Sequence, residues 1–507
     1  MENGIKEKII RVIETLNVLD DFILDDINGG HVSYKEFWDE CLQTAICINQ
    51  YIKCKTILAI LDNSYELLKL YFAVMLTDKK IVAIDPVRGK AEIEEILSDV
   101  RDAILIRQEG EDVTANETGF HRVCIEQLQS RQSDGQKGCV IEKIKMLLEN
   151  RDFHTEYLVT YTSGTSGRPK GVTHSLDNLF GAAFALQDKV CAPRGVFMHV
   201  MPMTYMAGIL NSIFFPFITR NKILIMKRFS VKTAIDFWRK VSRYEADVFW
   251  LSPAMLIMIQ NMDRSCLGQD YCRKHNVRFL IGTSHLAEST RSRFERKYGV
   301  KLQESYGLSE TLFISVETQD SIKHREKDSA GELLAGVDYK ILPDGELLVY
   351  VPWMYLGYTN EEDRDYFLGK YYKTGDLAEF RNGNLFITGR KKELIIKGGM
   401  NISPAQIEKC ISQYKCVAEC AVFGAGSSSG EEIVCCAYVV QKNDKSGKQR
   451  MKIEEELSEK VIDILGKNCR IDQFIYMDKL PKNANGKVDK EMLKSGWKEI
   501  LADREAK

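Results

Sequence analysis

Apolar segments of strand length alternate with helical segments along the first 150 residues of the chain. The runs TILAILD (residues 56–62) and IVAID (residues 81–85) are short and apolar, and SYELLKLYFAVML (residues 64–76) between them is typical of a helix. Two strands joined through a helix lie parallel in one sheet, because the helix returns the chain to the edge where it started. This order restricts the N-terminal part to an α/β fold.

The same alternation returns between residues 245 and 306. The segments ADVFWLS (246–252), VRFLIGTS (277–284) and LQESYG (302–307) are predicted strands, and RSRFERKYG (291–299) is a predicted helix. The sequence therefore predicts an α/β fold with a large N-terminal domain, whose mixed, largely parallel sheets are flanked by helices.

The pattern changes near residue 389. Two strand-like runs, AECAVFG (418–424) and IVCCAYVV (433–440), precede KIEEELSEKVIDILGKN (452–468), whose apolar residues recur at helical spacing. We therefore expect a small α+β C-terminal domain joined by a short linker. The predicted division is a large domain at 1–389, a hinge at 390–392 and a small mobile domain at 393–507.

The charge balance and the apolar runs exclude several kinds of partner. The chain has 70 basic and 72 acidic residues, so it has no surplus of cations for nucleic acid. No apolar run approaches the roughly 20 residues of a bilayer span, and MENGIKEKII lacks the apolar core of a secretory signal. The sequence predicts a cytoplasmic protein without a membrane span, whose 14 scattered cysteines are reduced.

A segment rich in glycine and hydroxyl groups, YTSGTSGRPKGV, occupies residues 161–172. Its glycines allow positive φ, so consecutive N–H groups can turn toward one small anion, and hydroxyl and lysine side chains add donors. A flexible surface linker is the alternative, although a linker needs neither a preceding apolar strand nor a fixed proline and lysine. We predict a phosphate-binding loop with the contact residues Thr162, Ser163, Gly164, Thr165, Ser166, Gly167 and Lys170.

This loop differs from the P-loop of nucleoside triphosphatases. The P-loop pattern needs Ser or Thr directly after Gly-Lys, whereas here Lys170 follows Pro169. Because proline fixes φ and disfavours helix in the preceding residue, we expect Lys170 to lie on a loop rather than at a helix start. The expected layout is the apolar strand LVTY (158–161), the loop, and a helix starting near Ser175.

A second candidate segment, YGLSET, follows a predicted strand at residues 306–311. Strand exits of α/β sheets are where ligands bind. Tyr306 can stack on a purine, the Ser309 hydroxyl can reach an α-phosphate, and the Glu310 carboxylate can hold Mg²⁺ against a triphosphate. Taken alone, the segment slightly favours the alternative, a helix start with a Ser cap and a Glu in the first turn.

Three further polar residues stand out towards the C terminus. Asp376, in a turn-like YKTGD, can accept hydrogen bonds from a ribose diol, and Arg390 can complement ribose or phosphate. Ordinary turn chemistry and a solvated surface arginine are the alternatives. Lys487 follows an Asn-Gly turn that would present a single cation to another domain's cleft, although most lysines are solvated surface charges.

In order and spacing these motifs resemble the adenylate-forming superfamily across almost the whole chain. That superfamily comprises acyl-CoA synthetases, adenylation domains of peptide synthetases and luciferases, and the chain is most similar to AMP-forming acid–CoA ligases. The resemblance implies ATP and Mg²⁺ as cofactors. It also implies these roles: residues 162–170 for the triphosphate, Tyr306 for adenine, Ser309 for the α-phosphate, Glu310 for the metal, Asp376 and Arg390 for ribose, and Lys487 for catalysis.

The resemblance further implies two half-reactions and a mobile small domain. A carboxylate attacks ATP to give an acyl adenylate and pyrophosphate, and a thiol then displaces AMP. Lys487 would offset the repulsion between the carboxylate and the α-phosphate. Rotation at the hinge residue Lys392 would then present Gly398 and Gly399, whose small size leaves room for a pantetheine arm.

The expected thiol is coenzyme A, because KGGMN (397–401) resembles acyl-CoA synthetases. The first alternative is a stand-alone adenylation enzyme that loads the phosphopantetheine of a carrier protein. The second is a nucleotide-binding protein without catalysis. A luciferase-like oxygenase would also form an adenylate, and only oxygen-dependent light emission separates it.

For the acid, MPMTYMAGI (201–209) resembles the acyl-pocket motif of the superfamily and supplies Tyr205 and Gly208, with Gly307 as a further pocket residue. The segment lacks the aspartate that pairs with an amino-acid ammonium, which favours an aliphatic or aromatic acid. Gly282 and Thr283 stand where relatives carry two glycines, beside the expected adenine and acyl site. Thr283 is expected to shorten or polarise the pocket.

Overall fold

The strands predicted for the N-terminal part form the centres of two large sheets. The computed structural model describes residues 4–15, 21–100, 102–108, 120–128, 140–163, 169–190, 194–359, 363–397, 400–414, 416–426, 432–440, 450–482 and 488–505. Within them TILAILD forms strand β3 (Thr56–Ile60) and IVAID forms β4 (Lys80–Ile84), and the two strands pair in parallel. The helix between them, α3 (Tyr65–Met75), begins after the cap residue Ser64.

The first sheet has seven strands in the described residues. Its parallel part is β7-β4-β3-β5-β6, and an antiparallel edge is formed by β18 and β8 next to β7. The strands added here are β5 (Ala103–Arg107), β6 (His121–Cys124), β7 (Glu156–Ser163), β8 (Pro169–Ser175) and β18 (Gly357–Tyr358).

The second sheet has nine strands in the described residues, in the order β15-β14-β13-β12-β11-β9-β10-β1-β2. Six neighbouring strands, β13 to β1 in that order, are parallel, and both edges are antiparallel. Their bounds are β1 (Asp21–Asp25), β2 (His31–Ser33), β9 (Val196–His199), β10 (Lys222–Ile225), β11 (Ala246–Leu251), β12 (Arg278–Ile281), β13 (Leu302–Leu308), β14 (Leu312–Val316) and β15 (Glu332–Leu333).

A third, antiparallel sheet lies between these sheets and the C-terminal part of the chain. It contains β16 (Asp338–Ile341), β17 (Glu346–Tyr350), β19 (Phe367–Leu368), β20 (Tyr371–Arg381) and β21 (Asn384–Arg390). After a short turn at Lys391–Glu393 the chain enters a small hairpin of β22 (Ile395–Lys397) and β23 (Met400–Ile402).

The C-terminal part has its own sheet and its own core. The strands are β24 (Val417–Gly426), β25 (Glu432–Val440) and β26 (Gln473–Tyr476). The predicted helix is α15 (Arg450–Leu465), and its Ile453, Leu457 and Val461 are buried against this sheet as the spacing indicates. The expected small α+β unit is therefore present.

Helices cover both large sheets and fill the space between them. Aromatic side chains of α2, α3 and the segment Phe214–Phe217 pack edge to face there. The helices not yet given bounds are α1 (Ile5–Glu14), α2 (Tyr34–Tyr51), α4 (Lys90–Asp99), α5 (Val140–Asn150), α6 (Leu176–Gln187), α7 (Met206–Ile209), α8 (Phe215–Ile218), α9 (Val231–Tyr244), α10 (Pro253–Met262), α11 (Leu267–Lys274), α12 (Glu288–Tyr298), α13 (Gln319–Lys323), α14 (Pro404–Ser412) and α16 (Lys490–Glu505).

The predicted fold class is confirmed: a large N-terminal domain of mixed, partly parallel sheets with helices, followed by a smaller C-terminal domain. None of the helices in the described part of the chain combines the length and the apolar character that crossing a membrane requires. The cysteines that the structure describes are free thiols.

The carboxyl ends of the parallel strands of both sheets meet at one edge. Asn63, just beyond β3, is buried and donates to the carbonyls of Met201 (2.8 Å) and Met226 (3.2 Å), while its Oδ1 accepts from the Met203 N–H at 2.8 Å. Met201 follows β9 and Met226 follows β10, so one amide side chain joins three strand ends. This edge holds the candidate site.

Candidate active site

The described residues on the two sides of the phosphate-loop segment form a pair of strands. Strands β7 and β8 pair antiparallel, with Thr162 opposite Lys170 and Ser163 opposite Pro169. The predicted strand and helix are confirmed, because LVTY lies in β7 and α6 starts at Leu176 after the cap Ser175. The prediction that Lys170 lies on a loop is wrong, because Lys170 belongs to a second strand, β8. The physical reason is that the segment after Pro169 finds a complete ladder of hydrogen-bonding partners on β7 and on β18.

A close approach of two strands explains one glycine of this hairpin. A Cβ on Gly171 would lie 2.5 Å from the Thr359 Oγ1 and 3.0 Å from the Tyr161 ring. The Thr359 N–H donates to the Gly171 carbonyl at 2.9 Å. Gly171 therefore lets the chain after β18 pack on the hairpin that presents Lys170.

Lys170 rests on aromatic side chains. Its Nζ lies 4.9 Å from the ring centroid of Tyr366 and 5.4 Å from that of Tyr358, and it donates to the Tyr366 hydroxyl. An ammonium over a ring face is attracted by the ring quadrupole. Two tyrosines thus hold the Lys170 ammonium in place.

Ser309 and Glu310 lie in a tight turn between β13 and β14. The helix-start alternative for this segment is therefore wrong, because residues 312–316 pair back onto β13. His174 of β8 fixes the turn: its Nε2 is 2.7 Å from the Ser309 carbonyl, and burial lowers the pKa of this histidine to about 4. A neutral imidazole thus donates to the turn and ties it to the phosphate hairpin.

The Glu310 carboxylate accepts from the Tyr358 hydroxyl at 2.7 Å, and the hydroxyls of Tyr358 and Tyr372 are 3.0 Å apart. The residues fit a magnesium site of the kind expected. Carboxylate oxygen suits a hard cation, and Mg²⁺ commonly takes one or two carboxylates together with substrate phosphates.

Asp376 is buried and lies at the centre of a polar triad with Tyr306 and the more exposed Arg390. The Tyr306 hydroxyl donates to Oδ2 at 2.7 Å, and the Arg390 Nε lies 2.8 Å from Oδ1. Burial raises the pKa of Asp376, while Arg390 and the Tyr306 hydroxyl oppose that shift. The carboxylate retains lone pairs for further donors such as ribose hydroxyls.

The turn expected at Asp376 is not observed. Asp376 lies within β20 and pairs with Arg390 on β21, so adjacent strands bring the two predicted ribose residues together. Gly375, with φ of 69°, supplies the local irregularity that the sequence suggested as a turn. The strand continues because β17 and β21 flank it on both sides.

Gly282 and Thr283 follow β12 at the same edge. A Cβ on Gly282 would lie 3.1 Å from both the Ser305 Oγ and the Trp250 Nε1, so this backbone packs closely against two side chains. Thr283 has φ of 73°, a left-handed conformation that a β-branched residue adopts only under strain. The threonine that replaces an expected glycine therefore keeps a glycine-like backbone.

Tyr205 ends the loop that Asn63 anchors. Burial raises the pKa of Tyr205, Glu310 raises it further and Arg390 lowers it, so the phenol lies within the electrostatic field of both groups. At both predicted pocket glycines the neighbouring backbone leaves no room for a side chain. A Cβ would lie 1.8 Å from the Pro202 carbonyl oxygen at Gly208 and 1.7 Å from the Leu312 carbonyl oxygen at Gly307.

Several predicted residues lie outside the described part of the chain: Gly164, Thr165, Ser166, Gly167, Gly398, Gly399 and Lys487. The flanks of Lys487 are described. Lys482 and Val488 form an isolated antiparallel bridge across it, and the Lys490 Nζ lies 2.9 Å from Glu393 and 3.0 Å from Glu408. Lys490 is therefore tied to Glu393, the residue after Lys392 in the turn Lys391–Glu393.

Sequence reasoning missed Asn63, His174 and the tyrosines around Lys170 and Glu310. Asn63 and His174 carry no local signal, because their partners lie more than 130 residues away. The tyrosines do carry a local signal, because six of them fall within residues 350–372, shortly before the predicted ribose residue Asp376. Such a local enrichment could have drawn attention to this segment.

Comparison with known proteins agrees with this geometry. The chain matches the AMP-binding enzyme family over residues 18–359 and the AMP-binding enzyme C-terminal domain over residues 406–487. It is 28% identical to malonate–CoA ligase of Arabidopsis thaliana over 66% of this chain and 60% of that protein. It is 27% identical to 2-succinylbenzoate–CoA ligase of Bacillus subtilis over 67% of this chain and 68% of that protein.

Solved structures share the fold over nearly the whole length. ATP-bound MatB from Rhodopseudomonas palustris superposes with a TM-score of 0.82 at 22% identity, covering 98% of this chain and 99% of that one. The o-succinylbenzoate–CoA synthetase of Bacillus subtilis with its acyl-adenylate intermediate gives 0.78 at 22% identity, covering 96% and 98%. With the family match spanning more than half of the 507 residues, the resemblance seen in the motifs is confirmed, and the chain belongs to the AMP-binding enzyme family.

Proposed function

We propose that the protein activates a carboxylic acid with ATP and transfers the acyl group to the thiol of coenzyme A. In the first step a carboxylate oxygen attacks the α-phosphorus and pyrophosphate leaves. In the second step the thiol sulfur attacks the acyl carbon, AMP leaves, and the thiol proton is released to solvent. The observation that carries the proposal is the convergence of Lys170, Glu310 and the Asp376 triad at one edge of the sheets, in a chain that belongs to the AMP-binding enzymes.

Each group at this edge has a role that its surroundings support. Lys170, with the backbone of the hairpin tip, would contact the triphosphate. Glu310 would hold Mg²⁺, whose charge would screen the triphosphate against the attacking carboxylate. The Ser309 hydroxyl would reach the α-phosphate, and Asp376 would accept the ribose hydroxyls beside the Tyr306 ring.

Lys487 would supply the remaining positive charge for the first step. Two anions, the substrate carboxylate and the α-phosphate, must approach each other, and a positioned ammonium stabilises the charge that builds up between them. Its neighbours Lys482 and Lys490 are engaged in ion pairs with Glu419 and with Glu393 and Glu408. Lys482 and Lys490 therefore already have acidic partners, which leaves Lys487 as the proposed source of the charge.

The proposed division is a large domain at 1–389, a hinge at 390–392 and a small domain at 393–507. The ion pairs on the two sides of Lys392 support the hinge. Lys391 is held by Asp344 and Glu346 of the third sheet, each at 2.7 Å, whereas Glu393 is held by Lys490 of α16. The backbone between these two anchors is where rotation would deliver Gly398 and Gly399 to the incoming thiol.

The acid is proposed to be aliphatic or aromatic and not an α-amino acid. The segment 201–209 carries no carboxylate for an ammonium, and Thr283 adds bulk and a hydroxyl at the pocket. The relatives named above act on malonate and 2-succinylbenzoate, two acids that carry a second carboxylate or an aryl ring. A panel of acids should therefore span short diacids and aryl acids as well as fatty acids.

Product analysis tests the proposal. The protein is incubated with ATP, Mg²⁺ and each acid, with coenzyme A in one series and phosphopantetheinylated carrier proteins in another, and AMP and thioester are quantified by mass spectrometry. We expect an acyl-CoA and equimolar AMP with at least one acid. Thioester on a carrier protein alone would replace coenzyme A as the acceptor, and release of ADP instead of AMP would refute the proposal.

A further inference from the structure

Four tyrosines, which we call the tyrosine cluster, surround the groups at the triphosphate end of the site: Tyr355, Tyr358, Tyr366 and Tyr372. Their rings pack on one another, with centroid distances of 5.0 Å between Tyr355 and Tyr358 and 5.1 Å between Tyr358 and Tyr366. Tyr355 and Tyr372 are buried, and the Tyr372 ring packs against the rings of Tyr355 and Tyr366. The cluster forms a rigid aromatic platform next to Lys170 and Glu310.

The cluster is attached to both parts of the site by backbone hydrogen bonds. Strand β18, which carries Tyr358, pairs with β8 and places Tyr358 opposite Val172, two residues from Lys170. The Tyr355 N–H donates to the Glu310 carbonyl at 2.9 Å. One short segment, 355–358, therefore joins the phosphate hairpin to the turn that carries Glu310.

Tyr358 contacts both charged groups with different parts of its side chain. Its ring face lies under the Lys170 ammonium at 5.4 Å, and its hydroxyl donates to the Glu310 Oε1 at 2.7 Å. Since its single proton is used there, the 3.0 Å contact with Tyr372 has Tyr372 as the donor.

The hydroxyls need an explanation beyond packing. A phenylalanine would fill the same space and would not bury a polar group, whereas each buried hydroxyl must find a partner or lose free energy. Here the partners form a directed chain from Tyr372 through Tyr358 to Glu310. A donor on one carboxylate oxygen fixes the rotamer of that carboxylate and leaves the other oxygen for a cation.

We propose that Tyr358 is a positioning residue, which orients the Glu310 carboxylate toward the Mg²⁺ of Mg·ATP and supports Lys170 with its ring. The inference rests on the proposed function, because it assigns Glu310 to the metal. It adds that one side chain positions both the Glu310 carboxylate and the Lys170 ammonium. Mg²⁺ affinity and phosphate affinity can then be separated by removing only the Tyr358 hydroxyl.

Calorimetric titration with α,β-methylene-ATP is done once in the presence of Mg²⁺ and once in the presence of EDTA. The ratio of the two affinities for the analogue measures the gain that the metal brings. Tyr358→Phe should reduce that gain roughly tenfold, a usual loss when the partner of a metal-binding carboxylate is removed. Its affinity for the metal-free analogue should stay within about twofold, because the ring under Lys170 remains. The Mg²⁺ concentration for half-maximal pyrophosphate exchange should rise in parallel, with the KM for the acid unchanged.

Two tyrosines provide matched controls. Tyr371 is adjacent to Tyr372 on β20, but its hydroxyl donates to Asp338 at 2.7 Å, away from the cluster. Tyr366 belongs to the cluster, but its hydroxyl faces Lys170. Both Tyr371→Phe and Tyr366→Phe should retain the full metal-dependent gain.

The outcomes separate the inference from the proposed function. Absence of analogue binding and of exchange in the wild type contradicts the proposed function itself. If Mg²⁺ increases the affinity for the analogue equally in the wild type and in Tyr358→Phe, only the positioning role of Tyr358 is overturned. If Tyr358→Phe does not fold, Tyr372→Phe serves in its place: loss of part of the gain supports the chain of donors, and a full gain refutes it.

Discussion

The least expected backbone in the site belongs to a single residue, Thr283. Its φ of 73° costs a β-branched residue on the order of 1–3 kcal/mol, and glycine would adopt it without strain. We expect Thr283→Gly to raise the free energy of unfolding by up to about 1 kcal/mol, since the more flexible unfolded chain offsets part of the relief. Chemical denaturation with a constant m-value measures this, and a loss of stability would contradict it.

A buried histidine predicts a pH dependence of stability. Burial lowers the pKa of His174 to about 4 from an unfolded value of 6.5, so between these values the unfolded chain takes up a proton that the native state refuses. Its contribution to stability is complete above pH 6.5 and is lost as the pH falls towards 4, by at most about 1.4 kcal/mol per pH unit.

His174→Gln should reduce this acid sensitivity, because a glutamine amide can donate to the Ser309 carbonyl without titrating. His199 is equally buried and its pKa is also about 4, so the part of the acid-induced loss of stability that comes from His199 remains in this variant. Unfolding temperatures at pH 7.5 and pH 5 give the comparison. The same drop in the variant as in the wild type would show that His174 does not cause it.

At the scale of elements, the hairpin of β7 and β8 depends on a close contact with the strand beside it. A methyl group at position 171 meets the Thr359 side chain at 2.5 Å, and we expect Gly171→Ala to destabilise the protein by about 1–3 kcal/mol. Thr359→Ala removes the two nearest atoms, so the double variant should recover most of the loss. Additive losses in this double-mutant cycle would contradict the contact.

Sequence patterns located strands and helices correctly where the buried residues of one element form a continuous apolar run or recur with its own period. The strands at 56–62, 81–85, 246–252 and 277–284 and the helix at 64–76 were all found from apolar runs and periodicity. The errors concern residues whose structure is set by pairing with another strand. Lys170 lies in a strand because it pairs with Thr162 of β7, and Asp376 lies in one because β17 and β21 flank its strand; no local pattern reports these pairings.

The candidate site shows the same division. Motifs gave the residues Glu310, Asp376 and Arg390, and the structure brings the last two into direct contact. The tyrosine cluster was not predicted, because its meaning depends on a pairing between residues 358 and 310 that only the fold creates. Sequence thus identified the charged groups better than the groups that position them.

At the scale of the whole molecule, polar contacts between described residues join the C-terminal part of the chain to the large domain near the proposed hinge. Lys409 of α14 lies 2.8 Å from Asp328 of the large domain, and the Ser403 hydroxyl donates to the Thr388 carbonyl at 3.0 Å. Pairs of this kind, with Lys409 half exposed, contribute little stability each. The proposed rotation would break both contacts at a small cost in free energy.

Lys392→Pro tests that rotation. Proline restricts φ at the hinge and at the residue before it, so the small domain is held in one orientation. We expect one half-reaction to fall at least about a hundredfold while the other stays within about tenfold, since each orientation serves one step. Lys392→Ala, which leaves φ free, should keep both. Equal losses in the proline variant would argue against a hinge at this residue.

The central claim is that a carboxylate attacks ATP with the help of the lysine on the small domain. The most direct measurement is acid-dependent exchange of labelled pyrophosphate into ATP, in the wild type, in Lys487→Ala and in the control Lys482→Ala, whose lysine pairs with Glu419. We expect exchange by the wild type and the control, and a loss of roughly a thousandfold in Lys487→Ala with thioester formation from preformed adenylate retained. Undiminished exchange in Lys487→Ala, or equal loss of both half-reactions, would contradict the account.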